Sequence, residues 1–424
     1  MTHSRIFPPI ALALVLGCGA AGDDAADEGT GDATSVGATT DSTLGTSATT
    51  DAPTTTMATT APGTEGSESA DTSAEESSSD DGEPPPPDPC IADDSCPPGV
   101  WIEVTPPDLN LDAVEFGPGP VVVDPGHPSD LYMAGGGDGV WKSSDYGNTW
   151  TRINDTIGYV PMGLVIAVAG TEPATVWIAG YHVVYRSHDG GVTFEEVPNE
   201  LPTELYSIAV DPYDDDHLVS GLHEADGIVE SIDGGDTWTS VTGAGFPAGG
   251  ISWYPFFLDD GDAQSTRGSW FAIAQNGGSA TITRDGGDNW VVPPGIDGLQ
   301  HAHGNAQIHQ RGDTIFAAGT GGPGGGVYRS TDAGASFTRV LEGDMGITWG
   351  SEDNVYAMWG WACADCDLGA KFSTAPLPGD TWSTPEVPAD LIIGANHIAV
   401  TSDGTHTVFV GTMWSSGVWR YVEP

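Results

Sequence analysis

From about residue 99 to the C-terminus, short apolar runs alternate with clusters of Gly, Asp, Asn, Ser and Pro. One stretch sets the pattern: an inner strand at 206–210, a second at 217–220, a third at 227–231, then a turn and an outer strand. These runs either alternate in polarity or are continuously apolar over a few residues, as half-buried and buried short strands should be. The turn before the outer strand recurs. It reads Ser143-Ser144-Asp145-Tyr146-Gly147-Asn148-Thr149-Trp150, and comes again at 187–194, 231–238, 283–290 and 330–337. Its Asp positions, 145, 189, 233, 285 and 332, are spaced 44, 44, 52 and 47 residues apart, and a period of that length predicts a propeller or an array.

Two further units appear when the closing aromatic is the marker. A worn copy ends in Gly379-Asp380-Thr381-Trp382, with Ala375 where the motif Asp would stand, and Trp101 opens a strand like those that follow each motif. The aromatic anchors are then 101, 150, 194, 238, 290, 337 and 382. This predicts an all-β fold, a single seven-bladed β-propeller over 99–424, in which the strand at Trp101 completes the last blade and removes the open edges of the ring.

The motif resembles the Asp-box (BNR) repeat shared by sialidases, sortilin, family 74 xyloglucanases and photosystem II assembly factors. The chemistry of the motif is structural: Asp accepts N–H bonds in the turn, Gly supplies positive φ, and the aromatic packs between blades. The resemblance implies a ligand face on the opposite side, made by loops joining second to third strands and one blade to the next. A sialidase would need three arginines for a carboxylate, but Arg186, Arg284 and Arg329 lie at the motifs and no triad is visible. A family 74 enzyme implies two facing carboxylates in a cleft between two propellers, and this chain has residues for one propeller.

The first 98 residues read differently. Residues 1–17 fit a secretory signal, with an apolar run too short to span a bilayer. Val15-Leu16-Gly17-Cys18 resembles a bacterial lipoprotein box, which implies a lipid on Cys18; Gly19 after it suggests the outer membrane or cell surface. Residues 18–98 form a Thr/Ser/Asp/Pro-rich stalk, disordered because it has too little apolar surface to offset chain entropy.

The formal net charge of −50 argues against nucleic acid, since phosphate contacts need a basic face. Much of that charge has a local origin. Residues 19–98 carry 18 acidic and no basic side chains, and turn geometry asks for Asp in the repeats. With 60 Gly and 32 Pro, long helices are disfavoured.

The facing loops nominate His223, Trp253, Tyr254, His301, His303, Trp359, Trp361 and Trp414 for ligand binding, with His182 and His397 beside them. Glu224, Asp226 and Asp138 are the first candidates for a catalytic carboxylate, and Asp297 and Asp365 share the face. His301 and His303 fit either a metal site with His223 or His397, or ordinary hydrogen bonds to backbone, and the second is favoured. Asp214–Asp216 and 259–262 lack the spacing of a calcium loop and read as solvated turns. Neither a metal nor a cofactor is implied. Cys90, Cys96, Cys363 and Cys366 suggest two disulfides in an exported protein, with local pairing the simplest of three possibilities. The expectation is therefore a monomeric, lipid-anchored propeller that binds a protein, peptide or glycan through its loop face; the alternative is a glycoside hydrolase.

Overall fold

A computed structural model describes residues 85–424 except 112–117, 136–137, 158–165, 181–182, 198–200, 202, 276, 302–305, 321–323, 344, 360–370 and 414–415. The expectations for the signal, Cys18 and most of the stalk lie outside the described residues. So do those for His182, His303, Trp361, Cys363, Asp365, Cys366 and Trp414.

Seven antiparallel sheets follow one another along the chain: blades I (121–154), II (166–197), III (209–240), IV (254–291), V (308–342), VI (347–376) and VII (395–422). Six have four strands, and blade III shows the plan, with Ala209–Asp211 innermost, then Asp214–Gly221, Ile228–Ser231 and Thr239–Ser240. Inner strands of successive blades touch from blade V through VI, VII, I, II and III to IV. Apolar side chains collect in seven clusters, each between two successive sheets. Between blades VI and VII, Trp101, Trp349, Tyr356, Phe372, Phe409 and Tyr421 interlock edge-on and stacked. Burying a side chain of this kind stabilises by roughly 1.5–3 kcal/mol, so this seam is a strong one.

The ring closes as the repeat predicts. Trp101–Glu103 pairs antiparallel with Gly417–Val422, placing Trp101 opposite Tyr421. Blade VI departs from the plan: among the described residues it has three strands, and its fourth is reduced to one bridge between Thr374 and Ser383. Pro385 and Pro388 follow, and without N–H groups they cannot extend a ladder.

In the five specific motif copies the same network recurs. Ser143 Oγ donates to Asp145 Oδ1 (2.8 Å) and accepts the Gly147 N–H (2.9 Å), while Asp145 accepts the N–H and hydroxyl of Thr149 (2.8 and 2.6 Å). Asp189, Asp233, Asp285 and Asp332 repeat it with Thr193, Thr237, Asn289 and Ser336. The network needs two successive residues of positive φ, such as Tyr146 (58°) and Gly147 (79°); a Cβ on Gly147 would also strike Val410 at 2.6 Å. The aromatics refine the expectation of inward packing. Trp290 and Phe337 are buried, whereas Trp150, Trp238 and Trp382 are half-buried and return their indole N–H to Gly147, Gly235 and Gly379.

The arginines at the motifs, and Arg420 of the last strand, are inter-blade staples. Arg186 donates to the Gly234 carbonyl, Arg284 to Ala333, Arg329 to Pro378 and Arg420 to Tyr146, in each case the same turn position of the next blade. These bonds commit the four side chains to the Asp-box face.

The N-terminal boundary also shifts. Pro85–Pro98, which composition assigns to the stalk, is a folded clasp on the Asp-box face. It holds a helical turn, Pro89–Ala92, capped by Asp88, and a Cys90–Cys96 disulfide as local pairing predicts. Tyr146, inside the first Asp-box, donates its hydroxyl to the Pro86 carbonyl at 2.6 Å.

Candidate functional site

On the face away from the Asp-boxes, blade III supplies the loop 222–227 between its second and third strands, closed by Leu222 N–H to Gly227 O (3.1 Å). The chain entering blade III runs beside this loop through a bridge between Leu205 and Leu222, which makes Glu204 and His223 cross-strand neighbours. The His223 N–H donates to the Glu204 carbonyl (3.0 Å), and its Nδ1 bonds Glu204 Oε1. Both side chains are about one-eighth exposed.

Rings stack beneath this pair. His223 lies parallel to Tyr206 at 5.1 Å between centroids, and Tyr206 is stacked in turn on His301 at 5.8 Å. Tyr254 meets Tyr206 and His301 edge-on at 5.6 and 5.4 Å. Polar atoms fix the column: Tyr206 OH donates to Gln275 Oε1 (3.3 Å) and His301 Nε2 to the Ser252 carbonyl (2.7 Å). Burial pushes the Tyr254 phenol well above its ordinary range, so it stays neutral. Two non-glycine residues hold positive φ at the rim, Glu224 (48°) and Ser252 (53°), joined by Glu224 N–H to Ser252 Oγ (3.0 Å). Sparse conformations of this kind persist where surrounding structure over-determines them and cluster at functional sites.

Loops and the first residue of blade IV's inner strand thus bring together His223, Tyr254 and His301 of the nominated residues and add Glu204, Tyr206 and Gln275. The arrangement offers a carboxylate–imidazole pair able to move a proton, and aromatic rings suited to an apolar sugar face or a peptide side chain. Glu224 is exposed at its edge.

Other nominations need correction. Trp253 is fully buried: Phe246 packs on its ring, and its indole N–H donates to Gly250 O (3.1 Å) and Asp226 Oδ1 (3.3 Å). Its role is in the seam between blades III and IV, and Asp226 serves it. Trp359 is also buried, with its carbonyl pressed against Gly394 of the chain entering blade VII. Asp138 is committed to Arg152 (2.9 Å) and the Asn110 N–H (3.2 Å). His301 has a backbone carbonyl as partner, and among the described residues no group of three His, Cys, Asp or Glu is placed to hold a metal. Asp214 opens a strand and pairs with Arg267, and Asp262 caps the short helix Ala263–Gly268. The expected pair of turns is in fact a strand end and a helix start.

No family model matches the chain. Among curated proteins it is 27% identical over 243 residues to the oligoxyloglucan-reducing end-specific xyloglucanase of Emericella nidulans, covering 47% of this chain and 29% of that protein. It is also 27% identical over 240 residues to a xyloglucanase of a Paenibacillus species, covering 53% of this chain and 20% of that one. The chain thus spans less than a third of the length of these relatives. Among solved structures, the GH74 xyloglucanase from Xanthomonas campestris superposes with a TM-score of 0.56 at 20% identity, over 76% of this chain and 53% of that one. YCF48 bound to D1 peptide gives 0.52 at 15% identity, over 76% and 97%. With the seven sheets and the five-fold hydrogen-bonded motif, these likenesses support a seven-bladed β-propeller whose repeated turn is similar to an Asp-box.

Proposed function

We propose that this chain is a carbohydrate-active propeller that takes a glucan-type polysaccharide across the blade III–IV loop face and hydrolyses it there. The observation that carries the reading is the Glu204–His223 pair standing on the Tyr206–His301–Tyr254 column. Sugar rings present an apolar face to such aromatics, and glycoside hydrolysis needs a carboxyl group poised for proton transfer beside a second carboxylate. Glu204, held by an imidazole, suits the first role, and the exposed Glu224 at the rim suits the second. The sequence relatives, both xyloglucanases, support a glucan over an unrelated ligand. This reverses the preference drawn from the sequence, where residues for a single propeller put a binding module first.

The test is release of reducing ends from xyloglucan and other glucans by the purified chain, repeated with Glu204→Gln and Glu224→Gln. The reading requires turnover that falls at least ~100-fold in one or both variants, within the range a general acid contributes. Binding of the polysaccharide with no turnover would return the chain to the binding-module class.

A second reading rests on size. The chain covers nearly all of YCF48, a protein solved with a peptide bound, but only about half of the xyloglucanase. A single propeller of this size suits a peptide laid across the same loops, and competition between peptide and polysaccharide would separate the two. In either reading the chain is exported and held at the outer membrane by lipid on Cys18. Incorporation of labelled fatty acid, lost in Cys18→Ser, checks this.

A further inference from the structure

Blade VII carries a second cluster of polar groups, away from the Glu204–His223 pair. Its inner strand, Ala395–Ser402, has a bulge between Ala395 and His397, and Asn396 is the extra residue. Asn396 is 1% exposed, and neither atom of its amide has a partner. His397 stands directly across from Thr412 in the ladder; His397 Nδ1 and Thr412 Oγ1 are buried without partners too. Ser416 follows at the top of the same blade, with its N–H on the Met413 carbonyl (3.3 Å) and its hydroxyl likewise buried and unengaged.

A single orphaned polar atom is an ordinary defect, but five in four residues of one blade end are not. Each costs about 1–3 kcal/mol when left unsatisfied, so a protein does not collect them without something to satisfy. The groups hold complementary donors and acceptors, and none of the five is satisfied by another, so they call for a partner from outside the chain. The surroundings limit where it sits. Trp359 of blade VI abuts Gly394 on one side, and the His397 ring bonds the backbone of Val121 in blade I on the other. At the next residue of the strand, Gln307 reaches from the chain entering blade V and pairs its amide with the Ile398 carbonyl (2.8 Å) and N–H (3.1 Å).

We infer that Asn396, His397, Thr412 and Ser416 form a second binding site, for a neutral, hydroxyl-bearing small molecule such as a monosaccharide or polyol. The chemistry of the set decides the class. The Asn396 amide offers donors and an acceptor, His397 Nδ1 an acceptor when its other nitrogen carries the proton, and the two hydroxyls serve as either. This matches an alcohol, which both donates and accepts. No member is a carboxylate or a fixed cation, so a buried ion would go uncompensated. Burial lowers the His397 pKa to about 4, which keeps the ring neutral at ordinary pH.

The site does not depend on the blade III reading, and the experiment separates them. Xylose, glucose, myo-inositol and glucuronate are titrated into the full chain, with binding followed by ligand-observed NMR and by thermal shift. The expected result is millimolar binding of one or more of the neutral compounds, weakened at least tenfold by Asn396→Leu and by Thr412→Val and unchanged by Glu204→Gln, with glucuronate the weaker ligand. Thr412→Val removes an unsatisfied hydroxyl at constant shape, so that variant stays folded and provides a readable control. No binding by any neutral compound, binding unaffected by both blade VII variants, or binding abolished by Glu204→Gln each overturns the proposal.

Discussion

Arg420, in the last strand of the propeller, bonds Asp88 in the segment before the first strand, and both side chains are almost wholly buried. The pair spans 332 residues of sequence. It sits where the ring closes, and each partner has a further task. Arg420 also reaches the Tyr146 carbonyl (3.1 Å) and Cys96 Sγ (2.7 Å), and Asp88 caps the helical turn that starts the clasp. A guanidinium in that position cannot shed its charge, so its partner is obligatory.

Asp88→Ala is therefore expected to cost about 3–5 kcal/mol, the usual penalty for leaving one member of a buried pair behind. Replacing both, as Asp88→Leu with Arg420→Met, should cost less than the single change, because no charge is stranded. Urea denaturation of the three forms checks this, and a double variant worse than Asp88→Ala would show that the pair itself contributes little. Cys96→Ser should add a smaller loss, roughly 2 kcal/mol for so short a loop.

The Asp-box carboxylates give the propeller an acid limit. Asp189 is held down to about 2, first by the Thr193 hydroxyl and then by the Thr193 N–H, and Asp285 and Asp332 are lowered by the equivalent bonds from Asn289 and Ser336. Each prefers its charged form in the fold. The stability they contribute is present above the unfolded pKa near 3.8 and is lost as pH falls through the folded values. Acid titration by circular dichroism should show stability falling between pH 4 and 2. Asp189→Asn with Asp332→Asn should flatten that slope while lowering stability at pH 7; an unchanged slope would move the acid limit to other groups.

These motif carboxylates also show what a sequence can and cannot display. Asp145 through Trp150 closes its own turn, so its partners lie within a few residues and the repeat announces both the fold and the blade count. Trp101 was legible as a closing strand for the same reason, since it resembles its six counterparts. The site was legible only in part. His223 and His301 stand in loops, and Tyr254 at a strand start, within stretches rich in polar and aromatic residues, but Glu204 and Tyr206 join them through a register that no local pattern reveals. Trp253 misled because a loop position next to Tyr254 reads as exposed, whereas the close approach of Gly221, whose added Cβ would lie 1.8 Å from the Trp253 carbonyl, draws it into the seam. Asp88 sits in a proline-rich run that composition gives to the stalk; its meaning depends on an arginine at the other end of the chain.

A histidine gives the opposite pH sign. His217 is buried in blade III between Asp211 (2.8 Å to Nδ1) and Glu230 (2.9 Å to Nε2), with Phe257 and Trp270 packed on its ring. Burial opposes its charge, yet the bonds to Glu230 and Asp211 outweigh burial and raise its pKa above the ordinary 6.5. The stability it contributes is complete below the unfolded pKa near 6.5 and is lost as pH rises through the folded one. The melting temperature of the wild type should fall as pH climbs past 6.5, and that of His217→Gln should be lower but flatter. Parallel curves for the two proteins would exclude His217 as the source.

The inter-blade arginines pose a last question, whether the carbonyl or the carboxylate matters. Arg329 reaches two groups of blade VI, the Pro378 carbonyl and Asp380 (2.6 Å). Asp380 is 63% exposed, and water screens an ion pair there to under about 1 kcal/mol. The carbonyl bond differs, because it ties one blade to the fixed turn of the next, and a hydrogen bond from a charged group contributes roughly 1.5–3 kcal/mol. Arg329→Met should accordingly destabilise by about that amount and Asp380→Asn by much less, with the Arg329 contribution nearly insensitive to salt. Equal losses, or an Arg329 effect that disappears at 1 M salt, would make the staple a surface ion pair. Blade VI is the place to measure it: with its outer strand reduced to one bridge, it depends more than its neighbours on what the preceding blade supplies.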